Sequence, residues 1–243
     1  MSESGKTAIV TGGGKRVGEA LVRALLDDGW AVVAHVHHDA DAVPEGAVKA
    51  VADLGDADCA TRTFEAADGL PPVRLLVNNA ARFVEDRFGR ASGDEFDAHL
   101  TINARAPMLL IDELARRHRG GDALVVNMLD AKLAAPNPDF LSYTISKYAL
   151  ASLTELAARA LAEKGIRVNA IAPALMLPSG GQGEANFDAV HGLNPLGRGI
   201  EVDDVVTALR YLVDSGGVTG QTLGLDGGQR FMGLARDVQF LES

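Results

Sequence analysis

Tyr143 and Lys147 are four residues apart, a spacing that puts both side chains on the same face of a helix. A free phenol has a pKa of about 10, and a neighbouring ammonium group stabilises the phenolate. We therefore expect Lys147 to lower the pKa of Tyr143, so that its phenol can donate a proton near neutral pH. Asp130 stands thirteen residues before Tyr143. An isolated Tyr/Lys pair is also typical of a solvated helix surface, so the surrounding sequence has to decide.

A glycine-rich turn near the start of the chain indicates a site for a phosphate-bearing ligand. The segment Thr11–Gly18 follows an apolar run directly and leads into an amphipathic stretch, Glu19–Asp28. Glycines let backbone N–H groups approach a pyrophosphate, and the helix behind them contributes partial positive charge. The alternative is a turn that only connects strand to helix. The candidate binding residues in this turn are Gly12, Lys15, Arg16 and Val17.

Short apolar runs, most of them rich in Val and Ile, alternate with helical patterns along the chain. This alternation is typical of βαβ units, in which helices cover both faces of a parallel sheet. The sequence therefore predicts an α/β fold. The predicted strands are Thr7–Thr11, Ala31–Val36, Ala47–Ala52, Val73–Val77, Ala123–Met128, Arg167–Ala172 and Thr222–Leu225.

The helices and loops between these runs have readable signals. The capping box Ser92-Gly93-Asp94-Glu95 predicts a long helix to about His118, and another helix is expected over Leu141–Lys164. Pro44 lies in the short stretch Asp39–Gly46, so the second crossover should lack its helix. Residues 173–200 are rich in Gly, Pro and Asn, and a loop of that length predicts a substrate lid.

Composition excludes several classes of protein. The single Cys59 among 243 residues excludes an internal disulfide and a Cys-rich metal site, and we expect no bound metal. A net charge of −10 disfavours nucleic acid as a partner. The start of the chain, Met1–Lys6, lacks a signal core, and no run approaches the roughly 18 apolar residues of a membrane span. We therefore expect a cytoplasmic protein without a membrane partner.

The turn Thr11-Gly12-Gly13-Gly14-Lys15-Arg16-Val17-Gly18 resembles the Thr-Gly-x-x-x-Gly-x-Gly turn of short-chain dehydrogenases/reductases. That resemblance continues over most of the chain. It implies one Rossmann-type, doubly wound domain over residues 1–243, with seven parallel strands in the order 3-2-1-4-5-6-7 and helices on both faces. It also implies that a nicotinamide cofactor meets Asp53-Leu54, Asn79-Ala80, Pro173, Met176, Tyr143 and Lys147.

At three positions the sequence resembles the pteridine reductases, a group within that family. Arg16 replaces the middle glycine of the turn, and Asp130 replaces the usual serine. Phe83 stands where pteridine reductases stack a phenylalanine on a flat heterocycle. An ionised Asp130 can only accept hydrogen bonds, so it suits a substrate with N–H groups, or else it acts protonated. The alternative is that Asp130 only caps the following loop in an inactive enzyme.

The resemblance assigns the catalytic roles. Tyr143 donates the proton, Lys147 also binds the nicotinamide ribose, and Asn103 holds a water that relays protons from solvent. Asp130 completes the catalytic set. The implied substrate contacts are Arg16, Phe83, Asp130 and Tyr143.

The choice between NADP and NAD depends on the end of the second strand, where an acid accepts from the ribose 2′-OH or a base meets the 2′-phosphate. That segment reads His35-Val36-His37-His38-Asp39, with His38 where pteridine reductases carry an arginine. Lys15 in the glycine turn favours NADPH, while NADH is not excluded. His35, His37 and His38 are therefore either phosphate contacts or solvated residues at a strand end.

The sequence thus favours NADPH-dependent reduction of a C=N bond in a dihydropterin, dihydromonapterin or dihydrofolate. The first alternative is reduction of a small ketone by the same Tyr/Lys pair. The second is a dinucleotide-binding regulator without turnover. The resemblance further implies a homotetramer or homodimer, because helices corresponding to Glu95–His118 and Leu141–Lys164 pack subunits together in relatives.

Overall fold

The structure is a computed structural model that describes residues 5–179 and 182–241. Residues 1–4 of the predicted leaderless N-terminus, and Gly180 and Gly181 of the predicted lid, lie outside the described residues. The strands form one parallel sheet of seven in the order β3-β2-β1-β4-β5-β6-β7, which confirms the predicted topology. They are β1 (Thr7–Thr11), β2 (Ala31–Val36), β3 (Val48–Val51), β4 (Val73–Asn78), β5 (Ala123–Met128), β6 (Ile166–Pro173) and β7 (Thr222–Leu225).

Helices cover both faces of this sheet. Alternating strand side chains enter two cores: Val10 of β1 packs toward one face and its neighbour Ile9 toward the other. Both faces are buried, which explains why the strands read as continuous apolar runs. The helices are α1 (Arg16–Asp27), α2 (Cys59–Glu65), α3 (Gly93–Leu100), α4 (Ala106–Arg117), α5 (Leu141–Leu161), α6 (Glu184–His191) and α7 (Val202–Asp214).

The second crossover has no helix, as Pro44 predicts: residues 37–47, all of them described, run from β2 to β3 as turns and extended chain. The edge strand β3 is shorter than the predicted Ala47–Ala52, and β4 and β6 are longer than predicted. The extension of β4 to Asn78 follows from its pairing with Asn127 of β5. The extension of β6 to Pro173 follows from pairing with Leu225.

The long helix predicted after Ser92 is interrupted. A π-helical turn, Thr101–Arg105, separates α3 from α4 and carries Asn103. Only half of the predicted capping box forms: Ser92 Oγ accepts from Glu95 N at 3.1 Å, but the Glu95 carboxylate binds Arg82 instead of returning to Ser92. The Arg82 guanidinium gives the carboxylate a charged partner, which a backbone N–H cannot match.

The predicted lid is partly helical, because it contains α6. Asn186 of α6 donates to the carbonyl of Leu241, so the lid helix is joined to the end of the described chain. None of the helices found in residues 5–179 and 182–241 is long and apolar enough to cross a membrane.

Candidate active site

The residues predicted to do chemistry meet at the carboxyl ends of the parallel strands, where ligands bind in open α/β sheets. A cavity of about 520 Å³ opens there. It is bounded by the glycine turn and by the ends of β4, β5 and β6. Of the predicted site residues, those that line it are Arg16, Val17, Asn79, Phe83, Asp130, Tyr143, Lys147, Pro173 and Met176.

Asp130 and Tyr143 are in direct contact. Tyr143 Oη donates to Asp130 Oδ2 at 2.9 Å, while Asp130 Oδ1 accepts from Lys132 N at 2.8 Å. One carboxylate oxygen therefore caps the short 3-10 helix Ala131–Ala134, and the other binds the phenol. The two interpretations of Asp130, loop cap and partner of Tyr143, hold at the same time.

The electrostatics of Tyr143 differ from the expectation. Burial and the adjacent Asp130 carboxylate raise the pKa of the Tyr143 phenol well above its usual value. Lys147 does not reverse this: its Nζ donates to Met128 O at 2.6 Å and lies 5.6 Å from the centre of the phenol ring. Burial lowers the pKa of Lys147 to about 8. The expectation that Lys147 lowers the Tyr143 pKa is therefore wrong for this state of the protein.

Burial also acts on Asp130. It raises the pKa of the Asp130 carboxyl, against hydrogen bonds from Lys132 N and Tyr143 that favour the ionised form. The charge of Asp237 adds to this increase, and the charge of Lys147 opposes it. Asp130 therefore holds a proton to higher pH than a solvated aspartate does.

Asn103 is buried behind the cavity, where it forms hydrogen bonds to Arg82 and Ser146. Its Nδ2 group donates to Arg82 O and to Ser146 Oγ, each at 2.9 Å, and its Oδ1 accepts from Arg82 N at 2.7 Å. Because both N–H donors have protein acceptors, the side chain joins α5 to the chain after β4. Its assignment as the holder of a relay water stays a prediction.

Phe83 lies at the edge of the cavity with 39% of its surface exposed. Its ring stacks on Phe140, with centroids 4.3 Å apart, and meets the edge of Tyr143 at 4.7 Å. One part of the ring is thus held by protein, and the remainder faces the cavity that Tyr143 also lines.

The glycine turn has the geometry of an anion cradle. Gly12 has φ +64°, and a Cβ on Gly13 would come within 3.0 Å of Ala34. Helix α1 begins directly behind the turn, so its N-terminal partial charge faces the same space. The three consecutive glycines, Gly12–Gly14, leave room for a close approach, and together with the helix N-terminus they fit a dinucleotide pyrophosphate.

Arg16 adopts a left-handed backbone conformation, φ 53°, which glycine tolerates best. The Arg16 side chain donates from Nη2 to Pro178 O at 3.0 Å. Arg16 therefore connects the turn to the lid.

The remaining predicted cofactor residues lie outside the cavity lining. His37 Nε2 is 3.4 Å from Asp53 Oδ2, and its ring stacks on His38 at 4.0 Å. Hydrogen bonding from Gly55 N lowers the pKa of Asp53. Leu54 is buried in the core, so only its backbone can meet a ligand.

Asn79 and Ala80 support the turn from β4. Asn79 Nδ2 donates to Thr11 O at 2.9 Å, and Ala80 N donates to Thr11 Oγ1 at 3.0 Å. Lys15 is exposed at the N-cap of α1, and Val17 follows it in the first turn.

Sequence reasoning did not foresee two parts of the site: the role of His35, which was expected as a phosphate contact or a solvated residue and is neither, and one segment of the cavity wall. Buried His35 accepts from Gly12 N at its Nδ1 and contacts Ala52 O at 3.0 Å through Nε2, so it braces the glycine turn. Burial lowers the pKa of His35. The second part is the segment Gln229–Val238, which closes one side of the cavity; the turn Asp226-Gly227-Gly228 after β7 was its only signal.

The C-terminal segment is fastened beside the catalytic residues. Asp139 accepts from Arg236 Nε at 2.8 Å and from Asp237 N at 2.8 Å. Lys132 Nζ lies 3.2 Å from Asp237 Oδ2 and donates to Asp139 O. Among the described residues, no group of His, Cys, Asp or Glu is arranged to hold a metal ion.

Comparisons with known proteins agree with this geometry. Residues 14–230 match the family model described as enoyl-(acyl carrier protein) reductase. L-xylulose reductase from Homo sapiens is 35% identical over 240 residues, covering 93% of this chain and 96% of that protein. Pteridine reductase 1 from Leishmania tarentolae is 32% identical over 226 residues, covering 72% and 78%.

The solved structures give the same result. FolM alternative dihydrofolate reductase 1 from Brucella suis, crystallised in complex with NADP, has a TM-score of 0.86 and 34% identity, covering 95% of this chain and 97% of that one. The predicted resemblance is confirmed, and the alternative of a regulator without turnover loses its support. The chain belongs to the short-chain dehydrogenase/reductase family and is an NAD(P)H-dependent oxidoreductase.

Proposed function

We propose that this enzyme reduces the C=N bond of a dihydropterin, dihydromonapterin or dihydrofolate with NADPH. The observation that carries the proposal is the hydrogen bond between Asp130 and Tyr143 at the cavity wall. A carboxylate there would face a ketone oxygen lone pair to lone pair, whereas it can accept from the amino and ring N–H groups of a pterin. The similarity to FolM and to pteridine reductase 1 supports the same substrate class.

The proton chemistry follows from the raised pKa values. Tyr143 keeps its proton on Oη across the neutral range, because burial and Asp130 disfavour the phenolate. Tyr143 Oη then donates that proton to a ring nitrogen on which negative charge develops. After this transfer Asp130, whose pKa is also raised, can take up a proton from solvent and pass it to the Tyr143 phenolate through the hydrogen bond that joins them.

The nicotinamide cofactor, when bound, supplies the hydride. The glycine turn, with Gly12, Lys15, Arg16 and Val17, would hold its pyrophosphate. Beyond the turn, its ring and ribose would meet Lys147, Pro173 and Met176, which line the cavity. Asp53 and Leu54 would lie toward the adenine, while Asn79, whose side chain donates to Thr11 O, and Ala80 would support the turn that holds the cofactor.

NADPH is preferred in this proposal because basic groups gather at the end of β2. Lys15, His37 and His38 can face a 2′-phosphate, although Asp39 stands beside them. The NADP complex of FolM supports this choice.

Reduction of a small ketone is the second candidate. It is favoured by the similarity to L-xylulose reductase, whose 35% identity is about the same as the 34% identity of FolM. Tyr143 and Lys147 could serve that reaction as well, since a proton donor is needed in both. Asp130 is the residue that argues against it.

We also propose that residues 1–243 form one domain in which residues 173–200 close over the substrate. The hydrogen bond from Arg16 Nη2 to Pro178 O, which joins the glycine turn to this segment, supports a lid at this place. A cytoplasmic location is consistent with the single buried Cys59.

The test is a panel of acceptors with purified protein and NADPH or NADH, following loss of nicotinamide absorbance. Dihydrobiopterin and dihydrofolate should be reduced with a higher kcat/KM than small ketones. Tyr143→Phe should lower turnover by about 10²- to 10⁴-fold and leave NADPH affinity nearly unchanged. Turnover confined to ketones would exclude the proposed substrate, and full activity of Tyr143→Phe would exclude the proton donor.

A further inference from the structure

The chain between β4 and α3 passes the active site as an extended segment, Arg82–Asp86, here called the stacking segment because Phe83 belongs to it. Its first residue is held by Asn103, which binds both the N–H and the carbonyl of Arg82. Two further buried polar side chains, His99 and Asp86, hold the segment on the far side of Phe83. Neither has a role in the chemistry described above.

His99 fixes the middle of the stacking segment. It is fully buried on α3, and its Nε2 accepts from Val84 N at 3.3 Å. The proton therefore belongs on Nδ1, which lies 2.9 Å from Glu95 O. The His99 ring is 6.4 Å from the Tyr143 ring, centre to centre, so this histidine is close to the catalytic phenol without bonding to it.

Asp86 fixes the end of the segment to the catalytic helix. Its Oδ1 accepts from Ser142 N at 2.9 Å, its Oδ2 accepts from Ser142 Oγ, and its carbonyl accepts from Leu141 N. The N-cap residue of α5, Phe140, has φ 54° and no capping side chain. Asp86 thus caps α5 from a distance, one residue before Tyr143.

These anchors determine where Phe83 lies. The ring stands between Phe140 and the edge of Tyr143, and the anchored residues Arg82 and Val84 flank it in the chain. We propose that His99 and Asp86 are positioning residues that hold Phe83 beside Tyr143, so that the binding of flat aromatic acceptors, unlike that of compact ones, depends on both. This inference rests on the proposed function only where it takes a dihydropterin as the natural flat acceptor; the positioning of Phe83 does not depend on it.

Three acceptors separate the two questions. Dihydrobiopterin is flat and carries a C=N bond, 9,10-phenanthrenequinone is a flat ketone, and 2,3-butanedione is a compact ketone. His99→Leu removes the acceptor for Val84 N, whereas His99→Gln retains an oxygen that can accept there. His118→Leu is the matched control, since it removes a histidine at the far end of α4. Asp86→Ala and Asp86→Asn form the same kind of pair for the helix cap.

His99→Leu should raise KM roughly fivefold for the flat acceptors, the equivalent of one lost aromatic stacking contact, with kcat nearly unchanged. Kinetics with 2,3-butanedione should stay within about twofold, and His99→Gln should recover most of the loss. Asp86→Ala should raise KM for the flat acceptors in the same way, and it should also lower kcat with every acceptor, because Tyr143 is displaced with its helix. Asp86→Asn should restore both values.

The proposed function and the positioning role of His99 can fail independently of each other. If dihydrobiopterin is not reduced, the proposed function falls, while the KM for 9,10-phenanthrenequinone still tests His99. An equal loss with flat and compact acceptors in His99→Leu, or no change in any KM, would overturn the positioning role. If His99→Leu does not fold, His99→Asn supplies the same comparison, because its shorter amide does not reach Val84 N.

Discussion

At the scale of single residues, Asp130 combines two tasks that a serine would not. Its Oδ1 caps the turn that follows β5, and its Oδ2 accepts a hydrogen bond from the Tyr143 hydroxyl. A serine hydroxyl at this position could donate to a substrate oxygen, but an ionised carboxylate cannot. The preference for nitrogen-bearing or oxygen-bearing acceptors should therefore depend on this residue.

Replacing Asp130 by serine tests that preference. We expect Asp130→Ser to lower kcat/KM for dihydropterins by about 100-fold or more, since a polar partner and a proton carrier are both lost. Turnover of small ketones should stay constant or increase. Parallel kinetics with both acceptor classes provide the measurement, and unchanged NADPH affinity is the control. Equal losses for both classes would contradict the assignment.

Asp237 and Lys132 set the electrostatic background of the same carboxyl. The groups around Asp130 are Tyr143 and Lys147 on α5, and Asp237 on the C-terminal segment. The negative charge of Asp237 raises the pKa of Asp130, and the Lys132 ammonium, 3.2 Å from Asp237, partly neutralises that charge. Two substitutions should therefore move the Asp130 pKa in opposite directions.

The pH–rate profile is the measurement for this pair. Asp237→Asn removes a negative charge, so the limb that reports Asp130 should move to lower pH. Lys132→Met leaves Asp237 uncompensated, so the same limb should move to higher pH. A conservative Asp237→Glu variant should keep the original profile. Shifts in the same direction for Asp237→Asn and Lys132→Met would show that packing, not charge, links these residues to Asp130.

At the scale of elements, the central strands were predictable because burial on both faces favours apolar residues at most of their positions. The missing second crossover helix was equally predictable, since Pro44 and the short loop exclude it. The glycine turn, Asp130, Tyr143 and Lys147 lie around one cavity, because their order along the chain reflects the carboxyl ends of successive parallel strands.

Other elements depend on tertiary contacts that no local pattern reveals. The π turn at Asn103 arises where that side chain clamps Arg82, and Glu95 leaves its capping role for the same arginine. The Tyr143 pKa was predicted in the wrong direction because helical spacing gives the distance to Lys147 but not the burial. The C-terminal wall of the cavity has no periodicity from which to predict it.

Ser92 offers a test of one such element. Its hydroxyl caps α3, the helix that carries His99 and leads to Asn103. Ser92→Ala should lower the free energy of unfolding by about 1 kcal/mol, as for other lost N-caps. Ser92→Asp should retain most of the stability, because a carboxylate also accepts from Glu95 N. Urea unfolding gives the measurement, and a stability unchanged in Ser92→Ala would mean that the Arg82–Glu95 pair alone fixes this end of the helix.

At the scale of the whole molecule, α5 packs its inner face against the core through Leu150, Ala157 and Ala158, yet it keeps an apolar outer face. Ile145, Tyr148 and Leu156 are exposed there, and Leu156 is 65% exposed. Helical spacing puts all three on one side of α5. Met108 of α4 is exposed as well. An apolar strip of this kind is typical of a surface that another subunit covers.

The expected homotetramer or homodimer can be tested on that strip. Leu156→Glu would place a charge in the centre of an apolar contact, where its burial without a partner costs several kcal/mol, about enough to break a subunit interface. We expect wild-type protein to elute as an oligomer by size-exclusion chromatography with light scattering, and Leu156→Glu to elute as a smaller species with unchanged circular dichroism. Leu156→Ala, which removes the side chain without adding charge, should weaken association less. A wild-type mass equal to one chain would contradict the assignment of this face, because Leu156 would then be exposed in solution and its charge state would have no effect on size.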